Sequence, residues 1–395
     1  MAQDGTTETV GTRIARARKR RGLTQHGLAQ RASYSRGHIA QVEAGQKVAT
    51  PAFVAAVAAA LKVDAADLYG QPYRLPGHDD RVHAFIPELR RIQAFVDVGP
   101  ELAGPPRSIE VLAAEVATAR KLTAMAQLSK MGARLPAVVE ELAYWAHETD
   151  DPRVWRLLSM ALRSAVSLAR RLGYTGDALA LLGCAMDTGR RSGDPNLPAL
   201  VALIRALVLI SLNQQELALV LLDRAAASVD PARPDAAEIG GALDLRAAIV
   251  AARAGQHTRS WDYYGQAMER VRAGRTGQVV HHLEFTAANV AIHGAAVAAE
   301  LGELDEAARR DREVGERTLT ALPPERRAHH EIDMSRVHVE AGDHAKALER
   351  LASADRIAPQ MVTFHPTARS VVAHLVDVRR TLPEPLRRIQ HRMAV

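Results

Sequence analysis

Apolar positions over the first seventy residues recur at helical spacing, in short runs punctuated by turn residues. Ile14 and Ala17 lie one turn apart in a run that continues into the basic stretch Arg18 to Arg21 and stops at Gly22. Thr24 stands where an N-cap is expected ahead of Leu28 and Ala29, and Ser35 does so ahead of Ile39 and Val42. Ala44-Gly45 ends that third run with a residue suited to the left-handed conformation. Pro51 suits a first helical position and opens a fourth helix through Lys62, and Asp64 caps a fifth that contains Leu68. Residues 1–10 carry no apolar period and read as a disordered arm, so five helices are expected over 11–70.

Prolines break the pattern next. Gln71 to Asp80 contains Pro72, Pro76 and Gly77, and Gly99 to Pro106 holds three more prolines, so 71–107 reads as a linker with a short helix. From residue 108 to 382 the helical period returns and repeats. Aligned on the small residue opening the second helix of each hairpin, the anchors fall at Val138, Ala178, Ala218, Ser260, Ala307 and Ala347, spaced by 40, 40, 42, 47 and 40 residues. Four positions on stand Leu142, Leu182, Leu222, Tyr264, Asp311 and Leu351; seven on stand Trp145, Ala185, Ala225, Ala267, Val314 and Ala354. A small, large, small ladder at this period suits stacked helix pairs, each leaving an apolar face that only its neighbour covers. Asp311 makes the fifth unit the weakest. The fold class is all-α, with a basic C-terminal tail over 383–395 that reads as frayed.

Composition supports the helical reading: apolar residues make up 47%, and aromatics only 4%, so small aliphatic side chains do the packing. Cys184 is the single cysteine, which excludes an internal disulfide and fits a reducing cytosol. The nearly uncharged run Pro51 to Leu61 is too short to span a bilayer, so a cytoplasmic protein without a membrane partner is expected. Charge is unevenly placed. Residues 1–75 hold eleven Lys or Arg against five acids, an excess equal to the chain's whole net charge of +6. A basic module joined to a neutral one points to a polyanionic partner for the first alone.

The segment Gly22-Leu23-Thr24-Gln25-His26-Gly27-Leu28-Ala29-Gln30, followed by Tyr34-Ser35-Arg36-Gly37-His38-Ile39-Ala40-Gln41-Val42-Glu43-Ala44-Gly45, resembles the lambda-repressor-like Cro/XRE helix-turn-helix family. The resemblance implies a five-helix domain whose third helix lies in the major groove of double-stranded DNA. Base edges there present distinct donor and acceptor patterns, and N-terminal outward residues approach them most closely. Those residues are Arg36, Gly37, His38 and Gln41. Thr24 and Gln25 are expected at a phosphate, because a helix N-terminus favours an anion, with Tyr34, Ser35 and Lys47 as further phosphate candidates. The same resemblance implies an ion pair between Arg18 and Glu43, joining the first and third helices.

In the repeat region, Gly342-Asp343 before Ala347-Leu348, then Leu351, Ala354 and Pro359, resembles the second helix of tetratricopeptide repeats. The other units are degenerate and longer, and a generic α-solenoid remains the alternative. Helix-turn-helix plus repeats is similar in architecture to peptide-sensing regulators that hold a signalling peptide in a concave groove. On that analogy the inward positions Arg120, Gln127, Arg163, Ser167, Arg170, Arg253, Asn289 and Arg336 line a groove, and its arginines suit a carboxylate terminus or a small anionic ligand.

Other chemistry is weakly represented. His281-His282 and His329-His330 with Asp333 lack a further ligand at zinc spacing, so no metal and no cofactor are expected. The acid pairs Asp79-Asp80 and Asp150-Asp151 adjoin glycine or proline and read as turns, and no phosphate-cradling loop or nucleophile motif appears, so an enzyme is not expected. Two readings stay open: a homodimeric transcription regulator sensing a peptide or small molecule, and a repeat scaffold or antitoxin-like protein that binds a partner protein and DNA without a small ligand.

Overall fold

The computed structural model describes residues 8–73, 82–273, 281 and 283–394, and all its regular elements are α-helices. The expectations for residues 1–7, for Pro76, Gly77 and Asp79-Asp80, and for His282 lie outside them.

The first five helices are α1 (Val10–Arg20), α2 (Gln25–Ala32), α3 (Arg36–Glu43), α4 (Pro51–Leu61) and α5 (Ala65–Tyr69). Their ends are set locally: Thr9, Thr24, Ser35 and Thr50 each cap a helix by accepting from the backbone N–H three residues on. Asp64 occupies the cap position of α5 without a side-chain bond. Ile14, Leu28, Ile39, Phe53, Val57 and Leu68 form the core of this unit, each at most 2% exposed. Close approach of α1 to α3 depends on Gly11, where a Cβ would stand 2.1 Å from the Val42 carbonyl oxygen.

Beyond it, α6 (Phe85–Gln93) precedes six antiparallel pairs: α7 (Ile109–Ala124) with α8 (Leu128–Thr149), α9 (Pro152–Arg171) with α10 (Thr175–Arg191), and α11 (Leu197–Ser211) with α12 (Gln215–Ser228). The second three pairs are α13 (Ala236–Arg253) with α14 (His257–Arg272), α15 (Ala287–Leu301) with α16 (Leu304–Thr320), and α17 (Pro324–Glu340) with α18 (His344–Ile357). The ladder read from sequence is the seam of these pairs: all six anchors are buried, and so are Leu142, Leu182, Leu222 and Leu351. Asp311, the odd member, is 5% exposed and compensated: it accepts from His330 Nε2 at 2.8 Å and pairs with Arg350, which also reaches Glu331 at 3.2 Å. The long 47-residue spacing contains the connection between α14 and α15.

Two segments depart from expectation. The helix assigned to the 71–107 linker is built into the repeat core: Phe85, Ile86, Leu89 and Ile92 of α6 are at most 4% exposed, and the Phe85 ring fills the space where a Cβ on Gly132 would sit. Its apolar stripe needs cover, and α8 supplies it. The basic tail is α21 (Glu384–Met393), which follows α19 (Pro359–Phe364) and α20 (Pro366–Asp377). Leu386, Ile389 and Met393 are fully buried, while Arg369 donates to the Met393 carbonyl at 2.9 Å and Arg392 pairs with Asp355. An amphipathic stripe with a matching groove on its own chain does not fray.

The first helices of the pairs face inward and complete a circuit, since α17 returns against α7. Gln360 locks the closure by donating to Ser129 Oγ at 2.9 Å and accepting from Ser129 N at 3.2 Å, across 231 residues of sequence.

Candidate nucleic-acid interface and central cavity

The N-termini of α2 and α3 carry hydroxyl caps. Thr24 Oγ1 accepts from Gly27 N at 3.0 Å and Ser35 Oγ from His38 N at 3.1 Å, which leaves other first-turn N–H groups without an intrahelical acceptor. Around them Thr24, Ser35, Arg36, Gly37 and Gln41 are exposed. A Cβ on Gly37 would meet nothing nearer than the Ser35 hydroxyl at 4.0 Å, so packing alone does not demand glycine there.

The structure turns His38 away from that surface, correcting its placement beside Arg36. Its ring stacks on the buried Phe53 with centroids 4.8 Å apart and planes 9° apart, and meets Tyr34 edge-on at 5.1 Å. Position 38 lies about 200° around the helix from Arg36, on the inward side. Burial, then the nearby Lys47 charge, lowers the His38 pKa. Tyr34 is half-buried against the same Phe53, with centroids 4.9 Å apart, and Lys47 lies in a seam with α20 that Asp377 also lines.

Behind the exposed face, Arg18 spans α1 and α3. Its Nε donates to Glu43 Oε1 at 2.6 Å, its Nη2 to Glu43 Oε2 at 2.8 Å, and its Nη1 to the Leu23 carbonyl at 2.8 Å. Gln25 Nε2 joins them, donating to Glu43 Oε2 at 3.0 Å, so its side chain is engaged within the domain. Burial acts against the Glu43 carboxylate, yet the Arg18 and Gln25 hydrogen bonds prevail and hold its pKa below the ordinary value.

The helix-turn-helix unit sits on the repeats. His374 Nδ1 lies 3.3 Å from the Gly45 carbonyl, Gln71 donates to the Arg171 carbonyl at 3.4 Å, and the Arg369 guanidinium stacks 4.0 Å from the Tyr73 ring centroid. Under this contact lies a cavity of about 420 Å³, walled by the inner helices and edged by Pro51, Ala55, Ala65 and Tyr69 of α4 and α5.

Six of the eight groove positions read from sequence line the cavity: Arg120, Arg163, Ser167, Arg170, Arg253 and Asn289. Gln127 does not, because it falls in the turn between α7 and α8, past the end of the inward helix. Arg336 does not either: it lies beneath the wall, 1% exposed, bonded to Glu340 at 2.9 Å. Arg246 is missing from the sequence set although it stands seven residues, two helical turns, before Arg253; that spacing was the available signal.

Some of the cavity cations are neutralised. Arg253 donates to Glu300 at 2.9 Å, and Glu325 pairs with Arg171 and, at 3.1 Å, with Arg326. Arg120, Arg163, Arg170 and Arg246 have no carboxylate within 4.0 Å among the described residues. Burial pushes Arg120 and Arg246 down to about 9, and Arg163 and Arg170 down to about 10, all still cationic at neutral pH. Histidines of the same wall stay neutral: burial lowers His293 and His365 to about 3. His329, His330 and Asp333 do not act together: His330 is on Asp311, and His329 stands 3.8 Å from Asp333. Among the described residues no three His, Cys, Asp or Glu side chains stand together in a way that could hold a metal ion, and no helix is long and apolar enough to cross a membrane.

Residues 9–68 match a family described as a helix-turn-helix domain. Solved structures that match part of the chain include BtubC (BKLC) from P. vanneervenii, at 18% identity, covering 69% of this chain and 95% of that one with a TM-score of 0.39. Bacillus thuringiensis PlcR in complex with the peptide PapR7 and DNA is another, at 13% identity, covering 87% of this chain and 99% of that one with a TM-score of 0.33. No curated protein matches the chain. The family match and the exposed third helix together identify residues 9–68 as a helix-turn-helix domain, joined in this chain to a helical-repeat domain.

Proposed function

We propose that the protein is a homodimeric transcription regulator whose repeat domain senses a ligand in the central cavity. The observation that carries this reading is the shared wall: Ala65 and Tyr69 of the DNA-binding unit edge the same cavity as Arg170 and Arg246 of the repeats, so an occupant touches both parts. A ligand shifts an equilibrium only through contacts that differ between two states, and a cavity spanning the junction provides such contacts.

At the DNA, Arg36 and Gln41 read base edges, Gly37 lets the backbone approach, and Thr24 and Ser35 meet phosphates with their helix N-termini. One such unit covers a half-site, so two copies are needed for a full operator with centres roughly 34 Å apart. Arginines without a carboxylate partner in a cavity of about 420 Å³ favour a small ligand over the scaffold alternative. The test is footprinting of the full chain across genomic DNA, with and without culture extract. Discrete protected sites whose occupancy changes with extract support the reading; absence of any protected site contradicts it.

A further inference from the structure

The inner helix α11 turns a mainly apolar face to the cavity, with Leu203, Ile204, Leu207 and Ile210, the Ser211 hydroxyl at its end and no charged side chain. It packs between α9 and α13, which carry Arg163, Arg170 and Arg246. An apolar strip thus runs between two cationic edges. The cations are unsatisfied as well as unpaired: the Nε atoms of Arg163, Arg170 and Arg246 and Nη2 of Arg120 are buried without a hydrogen-bond partner. Elsewhere in the same cavity Arg253 has Glu300, and Arg171 and Arg326 share Glu325, so the arginines with no carboxylate partner lie on α7, α9 and α13. An anion reaching these guanidinium groups gains charge-assisted hydrogen bonds from donors that have no acceptor within the protein.

We propose that the cavity binds an anionic amphiphile, a compact apolar body bearing an acidic group, with Arg163, Arg170 and Arg246 holding the acid and α11 holding the body. The volume is that of a small-molecule site, and the unpartnered Asn289 Oδ1 in the same wall accepts a donor from the ligand. Ser167, one turn from both Arg163 and Arg170 on α9, adds a hydroxyl between the two guanidinium groups. This inference rests on the reading of the cavity as a ligand site and names what fits it.

The test uses two fluorescent probes with one apolar skeleton: anilinonaphthalene sulfonate, which carries an anion, and N-phenylnaphthylamine, which does not. Full-length protein is expected to bind one sulfonate probe per chain, about tenfold or more tighter than the neutral probe, the worth of a charge-assisted hydrogen bond. In Arg163→Gln/Arg170→Gln that preference falls to within about twofold, while neutral-probe binding is unchanged, which also shows the cavity intact. Equal affinity of the wild-type chain for both probes overturns the inference, as does full retention of the preference in the variant. Should the variant fail to fold, the comparison of the two probes on wild-type protein decides alone. DNA footprinting of the same samples separates the outcomes: footprints without probe discrimination sink the ligand class and leave the regulator standing.

Discussion

The Arg18 guanidinium and the Glu43 carboxylate face each other through two parallel hydrogen bonds of 2.6 and 2.8 Å, binding the first helix to the end of the third. Removing one member leaves the other buried and uncompensated, so Glu43→Ala is expected to destabilise the helix-turn-helix unit by about 3 kcal/mol. Amide hydrogen exchange over residues 10–45 checks this, because it resolves that unit within the full chain. The pH dependence has a definite sign. Glu43 titrates below the ordinary value of 4.5, so its stabilisation is complete above that pH and is lost as pH falls through the lower folded value. Slower exchange in Glu43→Ala than in wild type would refute the role.

Gly11 gives a purely steric prediction. A methyl group 2.1 Å from the Val42 carbonyl must push α1 off α3, so Gly11→Ala costs about 1 to 3 kcal/mol by overpacking. DNA affinity falls while probe binding in the cavity stays the same. An unchanged DNA affinity would show that α1 does not set the position of α3.

Arg36 and Thr24 are separable by what their loss does to sequence preference. Arg36→Ala is expected to relax base preference at one position of the half-site, by about 1 to 3 kcal/mol, and Thr24→Ala to weaken all sequences alike. Binding to a panel of single-base operator variants distinguishes the two patterns. A uniform loss from Arg36→Ala would contradict its assignment to a base.

The Asp311 network predicts that restoring the repeat's own pattern fails. Asp311→Leu supplies the large apolar residue found at that rung elsewhere, but strips the buried His330 of its carboxylate and leaves Arg350 with Glu331 alone. Loss of one partner from a buried pair typically costs about 3 to 5 kcal/mol, so the variant melts earlier by urea or heat. A gain in stability would show the network to be dispensable.

Much of this was legible locally. The caps Thr24 and Ser35, the stop at Gly45 and the ladder from Val138 to Leu351 are read from neighbours three or four residues apart, and such contacts follow from helix geometry alone. What escaped depends on distant partners. His38 faces inward because Phe53, on another helix, offers a ring to stack on. The 71–107 helix and the terminal helix belong to the core because Gly132 and the α18–α20 surface leave room for them. Closure by Gln360 and Ser129, and hence a central cavity ringed by the repeats, follows from the cumulative turn of six hairpins, which no short window of sequence contains. Gln127 and Arg336 do not reach the cavity because the first falls in the turn that ends α7 and the second is drawn beneath the wall by Glu340.

The central claim is that the exposed face of α3 reads DNA sequence, and selection from a random duplex pool by the full-length protein tests it most directly. The account predicts rapid enrichment of paired half-sites with centres roughly one helical turn, 34 Å, apart, and loss of that enrichment in Arg36→Ala/Gln41→Ala. A pool that stays unenriched with wild-type protein, or enriches equally with the double variant, would contradict it.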